Sequence, residues 1–373
     1  MFLPDMSAQA CYNAVLPLIV LLLLNSIRRS SYTSLWHFTV LSGIGGFSAV
    51  FFALLFSQMI EGRVSCNLAL HGLAWYGSFF LFASAALMYR QKGKNDKQRR
   101  IFPTLVLLFG FIYCGVAANT LLYEPTALVV RETTITTSKI TKPMTIVFCS
   151  DMHVAQVGDY ERRTLQKIKE QHANVIIFGG DYVEGQTKED TRRLLKEWNQ
   201  LFRESDLHAP LGIYAIQGTR FHDWRPWKEM FANTDVIIHT RTLTGQIGEI
   251  RVTFLSITDS ERKNPIADED CENRFRIIVG HSPRYAMAEQ EADLLLAGHT
   301  HGGQVQIPFF GPLITMSGDL PRNWASGMTV MPNGAQLIVS HGSGLSQGIG
   351  PRVRFWCRPD IWVIRLVPAD AKR

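Results

Sequence analysis

The stretch Asp293-Leu294-Leu295-Leu296-Ala297, running into Gly298-His299-Thr300-His301-Gly302-Gly303, decides the reading of this chain. A short apolar run of this length suits a buried strand. The glycines behind it let the backbone turn sharply at the strand's end. A solvated loop has no need of so many glycines around two imidazoles. Working outward, the same arrangement of apolar run and polar end recurs three times. Met144–Ser150 runs into Asp151-Met152-His153, Asn174–Phe178 into Gly179-Gly180-Asp181, and Arg276–Val279 into Gly280-His281-Ser282-Pro283. A helical stretch, Tyr160–Gln171, separates the first two. The resulting strand–helix–strand unit carries acids at both carboxyl ends, where open α/β sheets build their sites. Taken singly, Asp151-x-His153 is a weak signal and Asp181 reads equally well as a turn residue. As a set, carboxylates and imidazoles suit a metal chelate. His37 and His71 lie in the apolar half. His172, His208, His239 and His341 have no comparable setting and read as surface or packing residues.

The 373 residues are 46 % hydrophobic, an average that decides little because the distribution is uneven. Four apolar stretches, approximately Ala10–Ile27, Leu35–Ile60, Cys66–Tyr89 and Ile101–Tyr123, meet the length of roughly 20 residues that a membrane-spanning helix needs. The alternative is a buried helical bundle, which stretches this long and this poor in charge disfavour. Arg28 and Arg29 separate the first two spans; Arg90, Lys92, Lys94, Lys97, Arg99 and Arg100 separate the last two. The positive-inside rule puts both basic loops in the cytoplasm, leaving the N-terminus and the soluble part outside. A miscount of one span would reverse this orientation. The expected organisation is a transmembrane domain over 1–124, a linker over 125–142 with the character of an extended segment or edge strand, and a soluble domain over 143–373. The net charge of +6 is modest and collects near the membrane segments, so no nucleic-acid partner is expected. Six cysteines without a CxxC indicate neither a zinc ribbon nor a disulfide scaffold, and leave a single disulfide open.

The ordered set Asp-x-His, Gly-Asp, Gly-His and Gly-His-x-His, spanning Asp151 to His301, resembles the calcineurin-like metallophosphoesterase family. The wording Ala297–Val305, then Pro308-Phe309-Phe310-Gly311-Pro312, is most similar to its membrane-associated bacterial branch. The resemblance covers roughly residues 143–367. It implies an αββα sandwich joined to the all-α transmembrane bundle, located in a bacterial inner membrane. It also implies two divalent ions, with manganese, iron or zinc suiting the donor set better than calcium. Asp151, His153, Asp181 and His301 would hold one ion; Asp181 would bridge to a second, also held by His281 and His299. The pair would activate a water for in-line attack on the phosphorus of a phosphate mono- or diester.

The family pattern also carries Gly-Asn-His followed by an acid. Here that region reads Gly218-Thr219-Arg220-Phe221-His222-Asp223, with three residues where one Asn is expected. His222 as the catalytic imidazole oriented by Asp223, His222 as a substitute ligand, and Arg220 as a fixed charge beside phosphate all remain open. A membrane tether favours a lipid-linked or envelope substrate. Trp224, Trp227, Met230 and Phe231 are candidates for an apolar lip, or for ordinary packing. Two alternatives are a pyrophosphatase of a nucleotide-linked lipid such as UDP-2,3-diacylglucosamine in lipid A synthesis, and a non-catalytic phosphate-ligand-binding membrane protein.

Overall fold

Every apolar run that precedes a site motif forms a strand. The computed structural model describes residues 6–29, 42, 44–46, 48–49, 65–90, 97–185, 187–220, 222–223, 225–266, 273–312, 315, 318–346 and 352–369. The chain divides into two units, Met1–Leu121 with Gln347–Arg352, and Leu122–Ser346 with Val353–Arg373.

In the first unit, helices α1 (Met6–Arg29), α2 (Ser65–Arg90) and α3 (Lys97–Ala118) correspond to the first, third and fourth expected spans. The second expected span, Leu35–Ile60, falls mostly outside the described residues. Among the described residues two helices are long and apolar enough to cross a membrane, at Gly72–Tyr89 and Arg100–Thr126; Tyr12–Ile27 is a shorter apolar helix. A four-helix transmembrane bundle is therefore not established by the described residues. Val20, Leu23 and Leu24 of α1 pack with Phe80, Leu81 and Ala85 of α2 and Val106 of α3. Leu105, Leu108, Phe109, Phe111 and Ile112 face outward from α3.

The second unit is a mixed α/β domain built on two six-stranded sheets. The first has the order β1-β14-β2-β3-β4-β5, with β1 Val129–Thr137, β2 Met144–Cys149, β3 Val175–Phe178, β4 Ile213–Ile216, β5 Val236–His239 and β14 Asp360–Pro368. Strands β2 to β5 run parallel, and β14 is antiparallel to β2. The stretch 125–142 contributes β1 to the sheet's edge, its β-branched residues suiting a pleated surface. The second sheet has the order β12-β13-β9-β8-β7-β6, with β6 Leu243–Ile247, β7 Ile250–Phe254, β8 Phe275–Val279, β9 Leu294–Ala297, β12 Gly327–Val330 and β13 Gln336–Val339. Strands β7, β8, β9 and β13 are parallel.

Alternation along β2 explains why its run is wholly apolar. Ile146 and Phe148 face the second sheet, meeting Val252, Ile277, Val279 and Leu296. Val147 and Cys149 face helices α4 (Asp159–Lys169) and α5 (Lys188–Glu204). Both faces are covered, so both phases of the pleat are hydrophobic. Helix α5 buries Thr191, Leu194, Leu195, Trp198, Leu201 and Phe202 on one stripe, and Thr187 caps its N-terminus by accepting the Asp190 amide. Trp227, Met230 and Phe231 lie in that same core, with Trp227 stacked on Tyr182 at 5.1 Å. They are packing residues and form no lip; Trp224 lies outside the described residues.

Candidate metal centre

Parallel strands bring their carboxyl ends to one place. Asp151 follows β2, Asp181 follows β3, Gly218 follows β4, His281 follows β8 and His299 follows β9. Main-chain bonds continue the ladder past the strands: the Asp151 amide donates to Gly180 O (2.9 Å), His153 to Asp181 O (3.0 Å) and Gly298 to His281 O (2.9 Å). Two glycines permit the approach. A Cβ on Gly298 would overlap the Asp151 carboxylate, and one on Gly218 would overlap the Asp181 amide and carboxylate. Asp151, His153, Asp181, His299 and His301 all have φ between 38° and 71°, a left-handed backbone that side-chain-bearing residues seldom adopt. Such strain concentrates where the surrounding structure fixes a functional group's direction.

Three overlapping sets of potential ligands result: Asp151, His153 and His301; His153, Asp181 and His222; and Asp181, His281 and His299. The Nε2 atoms of His153 and His301 are 2.9 Å apart. His301 Nε2 is 3.6 Å from Asp151 Oδ1, and His153 Nε2 is 3.7 Å from Asp181 Oδ2. Donor atoms each about 2.0–2.2 Å from a common ion stand roughly 3 Å apart, so this spacing suits a shared cation. His281 donates through Nδ1 to Gly179 O (2.8 Å), which turns its buried Nε2, lacking a hydrogen-bond partner, toward Asp181 Oδ2 at 3.3 Å. That carbonyl sets the tautomer in the way ligating histidines require. The residues present therefore fit divalent ions.

The titration behaviour follows from burial and neighbours. Burial alone would lower His281, but the Asp181 and Asp151 carboxylates outweigh it and raise its pKa to about 10. Burial and then His281 lower His299 to about 4. Burial, reinforced by His153, holds His301 well below its ordinary value. His222 is lowered by burial and by His153. His222, His299 and His301, kept neutral with lone pairs beside carboxylates, suit cation binding, whereas His281 must release its proton to bind an ion.

The departing loop is the most informative part. His222 sits against His153, ring centroids 4.5 Å apart. Asp223 is buried, and its carboxylate accepts the amides of Asp181 (2.9 Å) and Gly218 (2.7 Å) on Oδ2 and of Tyr182 (3.0 Å) on Oδ1. Burial and the Asp181 charge still raise its pKa to about 7, against the pull of those amides. Arg220 is exposed and donates to Thr258 Oγ1 (3.1 Å). Thr219 stands where the family pattern has Asn, and both its amide (2.6 Å) and its hydroxyl (2.9 Å) donate to Asp181 Oδ1.

Sequence reasoning passed over Thr219, Glu184 and Arg354. Glu184 Oε2 lies 3.2 Å from His153 Nδ1 and fixes that ring. Arg354 is fully buried and donates to the carbonyls of His341 (2.8 Å), Gly342 (3.1 Å) and Cys357 (2.9 Å), drawing the loop after β13 together with the segment before β14. His341, read as surface or packing, follows a strand end like His281 and His299 and is buried like His281, with its amide on Asp360 Oδ1 (2.9 Å). Ser340-His341-Gly342 after an apolar run was the signal for it.

The family model for calcineurin-like phosphoesterases matches residues 144–303, which hold the strand-end motifs from Asp151 to His301 but not His341. The chain carries a calcineurin-like phosphoesterase domain. This is the domain of a metal-dependent phosphoester hydrolase family. An uncharacterized metallophosphoesterase of Helicobacter pylori (strain ATCC 700392 / 26695) is 23 % identical over 363 residues, covering 92 % of this chain and 92 % of that protein. The uncharacterized metallophosphoesterase YkuE of Bacillus subtilis (strain 168) is 27 % identical over 260 residues, 65 % of this chain and 87 % of that one. The phosphodiesterase YaeI of Escherichia coli (strain K12) is 30 % identical over 107 residues, 28 % of this chain and 36 % of its own.

Proposed function

We propose that this chain is a membrane-anchored phosphoesterase that hydrolyses phosphate mono- or diesters, those of a lipid or envelope component among them, with two divalent ions in the cluster described above. The observation that carries the reading is a chain of three ligand sets: the set of Asp151, His153 and His301 shares His153 with that of His153, Asp181 and His222, which shares Asp181 with that of Asp181, His281 and His299. Asp151, His153 and His301 would hold one ion, and His281 and His299 the other, with Asp181 between them. Manganese, iron or zinc suits this donor set. Ions there would supply positive charge for phosphate oxygens and would acidify a water.

The chain's own residues do the rest. Glu184 aligns His153, Gly179 O aligns His281, and Thr219 fixes one oxygen of Asp181 so that the other faces the imidazoles. The placement of His222 beside His153 and Asp181 favours a ligand role for it over that of a free general acid. Asp223 serves this arrangement by holding the amides of Asp181, Tyr182 and Gly218.

Membrane anchoring is supported by the outward apolar face of α3: only 17 % of the Arg100–Thr126 window is buried. Apolar surface of that extent suits contact with lipid. With four spans, the basic residues between them favour an extracytoplasmic phosphoesterase domain at a bacterial inner membrane.

The test uses the full chain in detergent with bis-p-nitrophenyl phosphate and added manganese. Hydrolysis should be lost on chelation and restored by the ion. Asp181→Asn should strip most bound metal and nearly all activity, because a shared carboxylate offsets the mutual repulsion of two cations. Unchanged metal content and rate in that variant would refute the two-ion reading.

A further inference from the structure

Next to the metal centre lies a group of exposed aromatic side chains that catalysis does not use. A short hairpin, β10 (Gln306–Ile307) with β11 (Gly311–Pro312), carries Phe309 and Phe310 at its tip. Phe309 is fully exposed, Phe310 is 57 % exposed, and Ile307 is partly so. The hairpin base is bonded to the segment before β14: the Gln306 amide donates to Phe355 O (2.9 Å) and the Phe355 amide to Gln304 O (3.0 Å). Trp356, beside Phe355, is 64 % exposed. On its other side the hairpin is tied to the metal centre, since Gln306 Nε2 donates to Gly302 O (3.1 Å), next to His301.

Backbone conformation makes these aromatics hard to explain as incidental. Phe309 has φ 68° and Trp356 φ 54°. Exposed turn positions of this kind suit Gly or Asn; a bulky side chain there is strained and gains nothing from water. An apolar medium would stabilise the rings.

The same segment is attached to the end of an apolar helix. The span-length stretch Arg100–Thr126 ends within the phosphoesterase unit, where Leu122 and Tyr123 are both more than 60 % exposed. Directly after them, the buried Glu124 carboxylate accepts the amide of Cys357 (2.6 Å), the neighbour of Trp356. Arg358 Nε donates to Ala127 O (2.8 Å), and the Val129 amide donates to Pro359 O (2.9 Å). Cys357, Arg358 and Pro359, which follow Trp356, are thus bonded to the chain just after the apolar stretch. Arg358 is exposed there, and the exposed Arg322 guanidinium lies 4.5 Å above the Phe310 ring. Aromatic rings mixed with arginine are the composition of a membrane–water interface, where rings enter the acyl boundary and cations meet anionic head groups.

We propose that Phe309, Phe310 and Trp356 form a bilayer-inserting surface that keeps the metal centre at head-group level, so that a phosphate ester on an anchored lipid reaches it. The proposal rests on the membrane-anchored phosphoesterase reading above and adds to it the surface that meets the lipid. A soluble substrate needs no such surface, so the two ideas fail separately.

The experiment places a photo-crosslinking benzoylphenylalanine at Phe309 in the full chain, reconstituted in nanodiscs containing phosphatidylglycerol, with the same group at the exposed Arg193 on α5 as control. Mass spectrometry should find lipid adducts at position 309 and none at 193. In parallel, the triple variant F309S/F310S/W356S should keep the wild-type rate on bis-p-nitrophenyl phosphate. Its rate on a phosphate-monoester lipid embedded in the nanodisc should fall about tenfold or more, because three apolar anchors are lost. No lipid adduct at 309, or crosslinking there to protein instead, overturns the surface even if hydrolysis is normal. Lipid adducts at 309 without hydrolysis of either substrate keep the surface and overturn the enzymatic reading. A triple variant that hydrolyses both substrates at wild-type rates overturns the claim that the surface delivers substrate.

Discussion

Replacing Asp223 with Asn tests whether the loop that departs from the family pattern is held by chemistry or by scaffolding. The carboxylate accepts three buried main-chain amides, two on Oδ2 and one on Oδ1. Asn retains one oxygen, enough for the Asp181 and Gly218 amides, but it turns an NH2 toward the Tyr182 amide. One buried donor left facing another costs about 1–3 kcal/mol. Loss of charge assistance on the two remaining bonds adds to this, while relief of the burial cost that raises the Asp223 pKa subtracts from it. The expected net loss is about 1–3 kcal/mol. Urea titration of the full chain in detergent, followed by tryptophan fluorescence, reports on the phosphoesterase domain through the buried Trp198 and Trp227, the latter stacked on Tyr182. With a slope of about 3 kcal/mol per molar urea for a domain of this size, the midpoint should fall by ~0.3–1 M. Activity should drop about 10²-fold, since a shift of about 1 Å in the Asp181 backbone is enough for that. An unchanged midpoint with activity abolished would refute the scaffolding role and return Asp223 to direct catalysis as the partner of His222.

His222→Ala should lower metal content and slow good and poor leaving groups alike; a general acid would instead leave metal content intact and slow poor leaving groups far more, by up to about 10²–10⁴-fold. Arg220→Ala, which removes the guanidinium that bonds Thr258, should leave metal content unchanged, and a raised KM would mark a contact to phosphate. A reporter fused after Arg373 should be active as alkaline phosphatase and silent as a cytoplasm-only fluorophore; the reverse pattern would overturn the proposed orientation.

Much of the domain was legible in the order of residues because its chemistry sits at strand ends. An apolar strand buried on both faces is a continuous hydrophobic run, and the polar residue that ends it stands out, as at Phe148-Cys149-Ser150-Asp151 and Leu296-Ala297-Gly298-His299. The apolar helices were legible for a related reason, since length and composition alone mark a helix that could cross a membrane. The mixed α/β domain and the candidate ligands Asp151, His153, Asp181, His281, His299 and His301 therefore followed from local pattern and from resemblance to a known family.

Tertiary structure decided what depends on contacts between segments far apart in the chain. Thr219 meets Asp181 across 38 residues, Arg354 ties the loop of His341 to Cys357, and Cys357 meets Glu124 across 233. None of these pairs leaves a periodic trace, because a hydrogen bond between two loops constrains two residues and not a face. Trp227, Met230 and Phe231 had the composition of a lip and are core, whereas Phe309, Phe310 and Trp356 are exposed. Hydrophobicity is a property of the residue, but burial depends on which other surface the folded chain brings against it, and only the three-dimensional packing supplies that surface.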